Sequence, residues 1–413
     1  MFNINSFKSN KSLKLALCWT IFISSILYFI WKIIFMGVPQ YDFHIFYFAF
    51  DKVFHHDKIN LLYDHHNLVI GMNRLGYSVV EATKNFYGYP PQFAVLFSPF
   101  SLMGYKISKW IWFFLSDILY FAGIILFIKI AYKGKSFGAK LIIIAFSLAN
   151  GALYYDIFWG QSNRMIFFLI ALTFYLVYIK KFYWLAGIPM SLAIVFKVTP
   201  ILIVGLFVIR RNWKTVNATI IASIFFTTVT MFFTGYNLIW KYCTQYLWSL
   251  NKLNMENGNA PWNSSFKSVL KSCINNIQIE KILPLIFILV IVTASFITMT
   301  KAKQNMASFD IGIFTLLVLL LSPTIEVHHL VLAMFAEVAI LARTIEQIEK
   351  GFKKKISAVQ KISYLSIVLI IVLSILPVMF ISYFVILVLC FINIIYLYNQ
   401  IQGKCDENEN KCV

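Results

Sequence analysis

Long apolar runs separated by short polar loops constrain the fold of this chain more than any other feature. The first run, roughly residues 15–38, is long enough to cross a lipid bilayer as a helix. Only 13% of the 413 residues are charged and 60% are hydrophobic, which leaves too little polar surface for a soluble protein. The runs are too long for β-strands and show no alternation of period two. The sequence therefore predicts a single-domain, all-α polytopic membrane protein.

The basic residues predict the orientation of the helices. The formal net charge is +19, and the excess lies mainly in short loops between apolar runs. Cytoplasmic loops carry such an excess, whereas the basic–aromatic pattern of a nucleic-acid module is absent from the sequence. Lys8, Lys11 and Lys14 precede the first run, so this end of the chain is predicted in the cytoplasm. Applied along the chain, the same rule predicts about 12 membrane helices and two cytoplasmic termini.

The polar segments are predicted as external loops, interfacial helices and one short hairpin. Residues 39–90 are predicted as an external loop, and residues 91–104 as an interfacial or re-entrant helix too short to span. Two basic clusters flank residues 182–209, so this apolar segment must go out and come back, which predicts a short helical hairpin with its apex at residues 197–200. Residues 235–280 are predicted as a second external loop.

The motif-bearing core is predicted to cover about residues 15–345. A C-terminal pair of helices and a cytoplasmic tail, residues 346–413, carry no motif. Both parts are assigned to one membrane-embedded domain.

A carboxylate and an imidazole follow the first membrane helix, in the segment Tyr41-Asp42-Phe43-His44. A carboxylate among aromatic residues at a membrane exit is costly unless it is solvated or used. Asp42 is accordingly either a solvated helix end or a functional group. In the functional interpretation it acts as a general base, or it orients one.

His328 and His329 follow Ser322-Pro323 and Glu326 on the same predicted membrane face. Neighbouring residues of a helix point about 100° apart, so one of the two imidazoles faces any given cleft. One adjacent pair without a third ligand is weak evidence for a metal. A neutral imidazole that acts as a base or donates to phosphate, or a histidine pair at a wet interface, explains the pattern equally well.

Cationic and amide side chains mark two further sites. Lys197 lies inside an apolar hairpin, where an ammonium either snorkels to the interface or binds an anion such as the phosphate of a lipid. Gln161, Asn163 and Arg164 begin a membrane helix on the predicted external side. They either cap that helix or bind an anionic ligand at its N-terminus.

Histidine and cysteine residues give no metal-site pattern. The stretch with His55, His56, His65 and His66 matches no standard ligand spacing, so it is interpreted as surface loop. Cys243 and Cys273 fall in one predicted loop, and their pairing depends on a distance that sequence does not supply. No metal and no cofactor is predicted.

A series of short motifs runs in order through about residues 40–330. They are Asp42-Phe43-x-x-Phe46-Tyr47, Tyr89-Pro90-Pro91 with Ser98-Pro99-Phe100, Trp159-Gly160-Gln161-Ser162-Asn163, Phe196-Lys197-Val198-Thr199-Pro200, Asn263-Ser264-Ser265, and Ser322-Pro323 to His328-His329. Together they resemble glycosyltransferase family 87, the polyprenyl-phosphate-mannose-type transferases of the GT-C fold. The chain departs from the family pattern where Ser264 replaces Gln and where Ile325-Glu326 replaces Ser-Trp.

The resemblance implies a GT-C-like helix bundle and a metal-independent, inverting transfer of a hexose, with mannose favoured. The sugar would move from a polyprenyl-phosphate donor to a lipid or glycan acceptor on the external face. Asp42 and one histidine of the pair would be catalytic, and Lys197 and Arg164 would meet the donor phosphate. Further substrate contacts are implied for His44, Tyr47, Tyr89, Gln161, Asn163, Asn263 and Ser265.

Two other functions remain compatible with the residues. A membrane transporter or lipid-linked-sugar flippase also uses intramembrane lysines and broken helices. Its charges are expected near the midplane, however, whereas here they are predicted at one face. A non-catalytic scaffold does not explain the polar external turns.

Overall fold

The computed structural model describes residues 11–56, 59–78, 86–247, 263–274, 276–300, 306–351, 358–376 and 380–407, and within them the regular elements are helices. The α-helices are α1 Lys11–Met36, α2 Tyr41–Phe54, α3 His65–Arg74, α4 Pro91–Phe97, α5 Gly104–Ala131, α6 Phe137–Ala149, α7 Gly151–Trp159, α8 Asn163–Tyr175, α9 Tyr183–Phe196, α10 Ile201–Ile209, α11 Trp213–Thr234, α12 Tyr236–Lys241, α13 Phe266–Cys273, α14 Ile277–Thr300, α15 Ala307–Leu320, α16 Met334–Glu349, α17 Ala358–Ile375 and α18 Phe380–Glu407. Short 3₁₀ segments at Ile59–Leu61, Ser98–Met103 and Val327–Ala333 and π turns at Leu176–Lys180 and Tyr242–Tyr246 complete the set.

Several of these helices are long and apolar enough to cross a membrane. In the part of the chain that the structure describes there are 6, or up to 7 if α6 and α7, which are bent by 47°, form one broken span. The spans are Lys11–Met36, Pro91–Ala131, Asn163–Lys180, Trp213–Thr234, Gln278–Thr300 and Ile381–Gln402. The predicted all-α polytopic class is thus confirmed, while the predicted number of crossings stays a prediction.

The predicted hairpin at residues 182–209 matches two short helices, α9 and α10. They are separated at residues 197–200, where Lys197 has an extended backbone and Pro200 precedes the next helix. Proline has no amide hydrogen to continue the ladder of α9, so the break falls where the sequence placed it.

Residues 39–90, which are predicted as an external loop, contain the helices α2 and α3, and neither helix is among the candidate membrane spans. Large side chains of α2 recur every three or four residues, and Phe43, Phe46 and Phe50 are buried. The residues between them are buried as well, so α2 is enclosed on all sides, and this burial stabilises the helix. The second predicted loop, at residues 235–280, likewise contains α12 and α13, whereas residues 257–262 lie outside the described residues.

The apolar segment that begins near residue 137 is broken at Asn150 into α6 and α7. The Asn150 side chain accepts a hydrogen bond from the Ala152 amide at 2.9 Å, so it caps α7. An asparagine that offers the backbone this bond competes with continuation of the helix.

The chain divides into two compact units. Unit 1 comprises Met1–Gly37, Ile124–Tyr154 and Ser264–Val413, and unit 2 comprises Val38–Gly123 and Tyr155–Asn263.

Unit 2 is held by aromatic packing and by close contact between helices. Phe43, Phe46 and Phe93 surround the fully buried ring of Trp112, with centroid distances of 5.5 to 6.0 Å. Gly187 on α9 lies against α11, where an added Cβ would come within 2.6 Å of a backbone nitrogen. Aromatic burial therefore fixes α2, α4 and α5, and glycine permits the close α9–α11 contact.

Unit 1 has its own core, and Glu337 is among its buried acidic side chains. The rings of Phe127 and Phe335 meet edge to face at 4.8 Å. The Glu337 carboxylate on α16 accepts hydrogen bonds from Asn150 Nδ2 at 2.8 Å and Ser374 Oγ at 3.1 Å. These bonds tie α16 to the α6–α7 break and to α17, and they offset the cost of burying the acid.

Candidate active site

The site in unit 2 is built on the turn of residues 160–164, between α7 and α8. Gly160 has a φ of +70°, and an added Cβ would lie 2.7 Å from the Cβ of Gln40. The backbone N–H of Gln40 donates to the Phe158 carbonyl at 2.9 Å, and Trp112 Nε1 donates to the Gly160 carbonyl at 2.8 Å. The N-terminus of α2 is thereby docked on the turn, which only glycine at position 160 allows.

Asp42 lies in the first turn of α2 and is bonded to that turn through Gln161. The Gln161 side chain donates from Nε2 to the Asp42 carboxylate, and its Oε1 accepts from the Tyr89 hydroxyl at 2.7 Å. The Ser162 hydroxyl donates to the Tyr89 oxygen at 3.3 Å. The Gln161 side chain is thus held with its NH₂ group toward Asp42. The position of Asp42 in the first turn of α2 also stabilises its negative charge.

Lys197 is bonded to the same turn through Asn163. Its Nζ donates to Asn163 Oδ1 at 3.2 Å, and Asn163 Nδ2 donates to Asp156 Oδ2 at 2.9 Å. The lysine is half-buried, while Asn163 and Asp156 are fully buried. One turn therefore contacts both a carboxylate and an ammonium that are far from it in sequence.

Arg164 is fully buried and bonded to two carboxylates of unit 2. Its Nε donates to Asp156 at 2.8 Å, and its Nη1 donates to Asp117 on α5. Among the described residues Nη2 is buried without a hydrogen-bond partner. The predicted contact of this arginine with a donor phosphate stays a prediction, since two of its three nitrogens donate to protein carboxylates.

His44 is buried among aromatic side chains, and both its ring nitrogens have partners. Nδ1 lies 3.2 Å from the Tyr41 carbonyl, and Nε2 lies 2.6 Å from the Tyr105 hydroxyl. A carbonyl only accepts, so the proton is on Nδ1 and the tyrosine donates to Nε2. Burial lowers the pKa of His44 from 6.5 to about 4, so it is neutral at physiological pH. Tyr47 packs on Tyr105. Substrate contacts of His44 and Tyr47 stay predictions.

The histidine pair lies in unit 1, at the start of the 3₁₀ segment before α16. The Glu326 amide donates to His329 Nδ1 at 3.1 Å, and the Glu326 side chain accepts from the His329 amide. His329 Nδ1 therefore carries no proton, which makes the ring a neutral Nε2 donor. His328 is buried with Nδ1 3.6 Å from the Glu326 carboxylate. The His328 ring thus faces a carboxylate.

The Asn263-Ser264-Ser265 motif runs into α13. The Ser264 amide donates to the Ile325 carbonyl at 2.8 Å, which joins this motif to the segment before the histidine pair. Ser265 caps α13 by accepting from the Ser268 amide. Asn263 and Ser265 are buried, and their substrate roles stay predictions.

A sequence model of glycosyltransferase family 87 matches residues 86–323, more than half of the chain. The chain belongs to glycosyltransferase family 87. The predicted resemblance is therefore confirmed, and the protein is a glycosyltransferase with several membrane helices. Neither the curated proteins nor the solved structures include a significant match.

The family 87 match covers Tyr89, the 160–164 turn, Lys197 and the Asn263–Ser265 motif. Asp42 precedes the matched region, and His328 and His329 follow it. The assignment of these three residues consequently depends on their geometry and on the motifs in the sequence.

Two buried carboxylates of this family 87 chain, Asp117 and Asp156, are absent from the residues predicted as its site. The sequence gives one indication of a role for them, since each is an acidic residue within an apolar run. What sequence does not reveal is their shared partner, Arg164. Cys243 and Cys273 are free thiols, and within the described ranges no group of three or more His, Cys, Asp and Glu residues is placed to hold a metal ion.

Proposed function

We propose that this glycosyltransferase moves a hexose, with mannose favoured, from a polyprenyl-phosphate-sugar donor to a lipid or glycan acceptor. The single observation that supports it best is the 160–164 turn, which contacts the Asp42 carboxylate through Gln161 and the Lys197 ammonium through Asn163. Transfer from a phosphate donor needs a group that accepts a proton and a group that stabilises the leaving phosphate. Unit 2 presents one of each on a shared scaffold.

The proposed reaction is an inverting displacement without a metal. A base takes the proton of the acceptor hydroxyl, whose oxygen attacks the anomeric carbon while the bond to the phosphate oxygen breaks. The phosphate leaves with the bonding electron pair, and Lys197 neutralises the charge that develops on it. Asp42 is either the base or the group that orients it, and the Gln161 donor holds its carboxylate in one orientation.

The histidine pair is proposed to supply the base or its partner. His328 has the more suitable arrangement, because its Nδ1 lies 3.6 Å from the Glu326 carboxylate, which is placed to orient the ring. His329 is proposed to donate from Nε2, since its Nδ1 accepts from the backbone. This pairing of Glu326 with His328 occurs where the chain departs from the Ser-Trp of the family pattern.

The remaining predicted residues are proposed as substrate contacts. Gln161 and Asn163 belong to the turn that contacts Asp42 and Lys197, and the half-buried Tyr89 donates to Gln161. Asn263 and Ser265 follow the family motif. The reaction is proposed on the external face, with both termini in the cytoplasm, from the distribution of basic loops.

The proposal is tested with purified full-length protein in liposomes. The protein is incubated with an acceptor lipid extract and polyprenyl-phosphate donors that carry labelled mannose, glucose or galactose, and the lipid products are identified by mass spectrometry. A glycosylated product that depends on Asp42 is expected. Transfer from nucleotide sugars alone would overturn the proposed donor. Movement of the labelled donor across the bilayer without any new glycoside would favour the flippase.

A further inference from the structure

We infer that Asp156 is a positioning residue, which holds Lys197 through Asn163 and is itself held by Arg164, the hydrogen-bond partner of Asp117. The inference rests on the proposed function in one respect, namely that Lys197 meets the donor phosphate. It adds two residues, Asp117 and Asp156, to which neither the family match nor the motif pattern assigns a role. It also gives Arg164 a different task from the phosphate contact predicted from sequence.

The contacts form one continuous chain in unit 2. Lys197 Nζ donates to Asn163 Oδ1 at 3.2 Å, and Asn163 Nδ2 donates to Asp156 Oδ2 at 2.9 Å. The second oxygen of Asp156 accepts from Arg164 Nε at 2.8 Å, and Arg164 Nη1 donates to Asp117. The chain joins α5, α7 and α8 to the break between α9 and α10.

The orientation of Asn163 follows from its neighbours. Both oxygens of Asp156 accept, so the amide group toward Asp156 must be the NH₂. The amide oxygen is then directed at Lys197, which only donates. Asp156 thereby determines which end of Asn163 the lysine meets. Replacement of the carboxylate by an amide removes that constraint, because an amide can accept or donate.

The charges support the same arrangement. Asp117, Asp156 and Arg164 together carry one net negative charge, which the Lys197 ammonium balances. Asp156 and Arg164 are both 0% exposed, so an uncompensated charge there would be costly. The excess negative charge of this group therefore attracts the Lys197 ammonium toward Asn163 and Asp156.

A purely structural role, in which the Asp117–Arg164–Asp156 group only ties helices together, makes a different prediction. In that case both carboxylates would matter for stability alone, and Lys197 would be insensitive to either. In a positioning role, loss of Asp156 changes Lys197 through Asn163, whereas loss of Asp117, which lies two links further away, has a smaller effect on Lys197.

The first test measures the reactivity of Lys197 and needs no substrate. Purified full-length protein is labelled with a trace of acetic anhydride at fixed pH, and acetylation of Lys197 is quantified by mass spectrometry against Lys180 and Lys214. Asp156→Asn and Asn163→Ala are expected to change the labelling rate about threefold or more, and Asp117→Asn by less than twofold. Asn163→Ala keeps every buried charge, so it remains informative if Asp156→Asn does not fold. Unchanged labelling in both variants would overturn the inference.

The second test is a double-mutant cycle on donor kinetics. Asp156→Asn is expected to raise the donor KM about tenfold in the native background but by less than twofold when Lys197 is already methionine. Asp117→Asn is the matched control and is expected to change KM by a similar factor in both backgrounds. Equal factors for Asp156→Asn in the two backgrounds would refute the positioning role. If no sugar transfer is detected at all, the proposed function fails. The labelling experiment still shows whether Asp156 positions Lys197 through Asn163.

Discussion

The Gln161 side-chain amide donates a hydrogen bond to the Asp42 carboxylate across 119 positions of sequence. Its carbonyl oxygen accepts from Tyr89, so the amide is fixed from both ends. This relationship gives Asp42, a residue that precedes the region matched by the family, a defined place beside the motif of the turn. It also means that the orientation of the proposed catalytic carboxylate depends on a neutral residue.

Loss of the Asp42 charge is expected to abolish most of the sugar transfer. Asp42→Asn keeps the shape of the side chain but removes the proton acceptor, a change that costs about 10²- to 10⁴-fold in rate for general bases. The initial rate of product formation with saturating donor and acceptor measures it. Activity within about threefold of the native protein would eliminate both the base and the orienting role.

Gln161→Leu is expected to lower kcat about tenfold, because the carboxylate remains but loses the donor that orients it. Gln92→Leu is the matched control, since Gln92 lies in the same unit and donates to Thr227 Oγ1 at 3.1 Å, not to Asp42. We expect kcat of the control within about twofold of the native value. Equal losses in the two variants would show that the Asp42–Gln161 bond has no specific role.

Gly160→Ala is expected to destabilise unit 2 and to reduce transfer. A residue other than glycine at positive φ costs about 1 to 3 kcal/mol, and here the new Cβ also meets Gln40 at 2.7 Å. Gly235→Ala separates the backbone strain from the clash with Gln40, since Gly235 has a φ of +77° but nothing lies within 4 Å of an added Cβ. Thermal unfolding in detergent should show a larger loss of Tm for Gly160→Ala. A larger loss for Gly235→Ala would contradict the docking of Gln40 on the turn.

Substitution by asparagine is expected to lower kcat by different factors at His328 and at His329. The asparagine side chain can reproduce the acceptor at Nδ1 but not Nε2, so His329→Asn retains the cap of the Glu326 amide. His328→Asn is expected to lower kcat by about 10²-fold or more, and His329→Asn to cause a smaller loss. The reverse order, measured as kcat under saturation, would assign the base to His329.

His44 is expected to make the free energy of unfolding fall as the solution is acidified. Its pKa in the folded protein is about 4, below the value of 6.5 for an exposed histidine, because burial disfavours the imidazolium. The unfolded chain therefore binds the proton first, and the stabilisation that is complete above pH 6.5 is lost progressively as the pH falls toward 4.

Thermal unfolding between pH 4.5 and 7.5 checks this dependence on His44. His44→Gln should show a shallower decrease of Tm with acidification than the native protein. The control, His66→Gln, removes an exposed histidine of the same unit and should leave the native slope. If the Tm of His44→Gln falls with acidification as steeply as that of the native protein, other groups cause the pH dependence of stability.

Much of the architecture follows from local sequence. Apolar runs predict membrane helices because the bilayer leaves no other partner for the backbone, and the Lys197–Pro200 break predicts where α9 ends. Helix α2 was not predicted because it is too short to cross a membrane, although its aromatic residues recur with helical spacing. Its burial against α4 and α5, not its own propensity, stabilises it.

The sequence by itself determined the membrane class and the family motifs, and it predicted Asp42, Lys197 and the histidine pair as reactive groups, whose roles stay predictions. The tertiary structure alone decided their partners. Position along the chain gives no distance between Asp117, Asp156 and Arg164, and only folding brings the two carboxylates to one guanidinium. A buried charge must find its counter-charge in space, and in a membrane helix that partner comes from another helix.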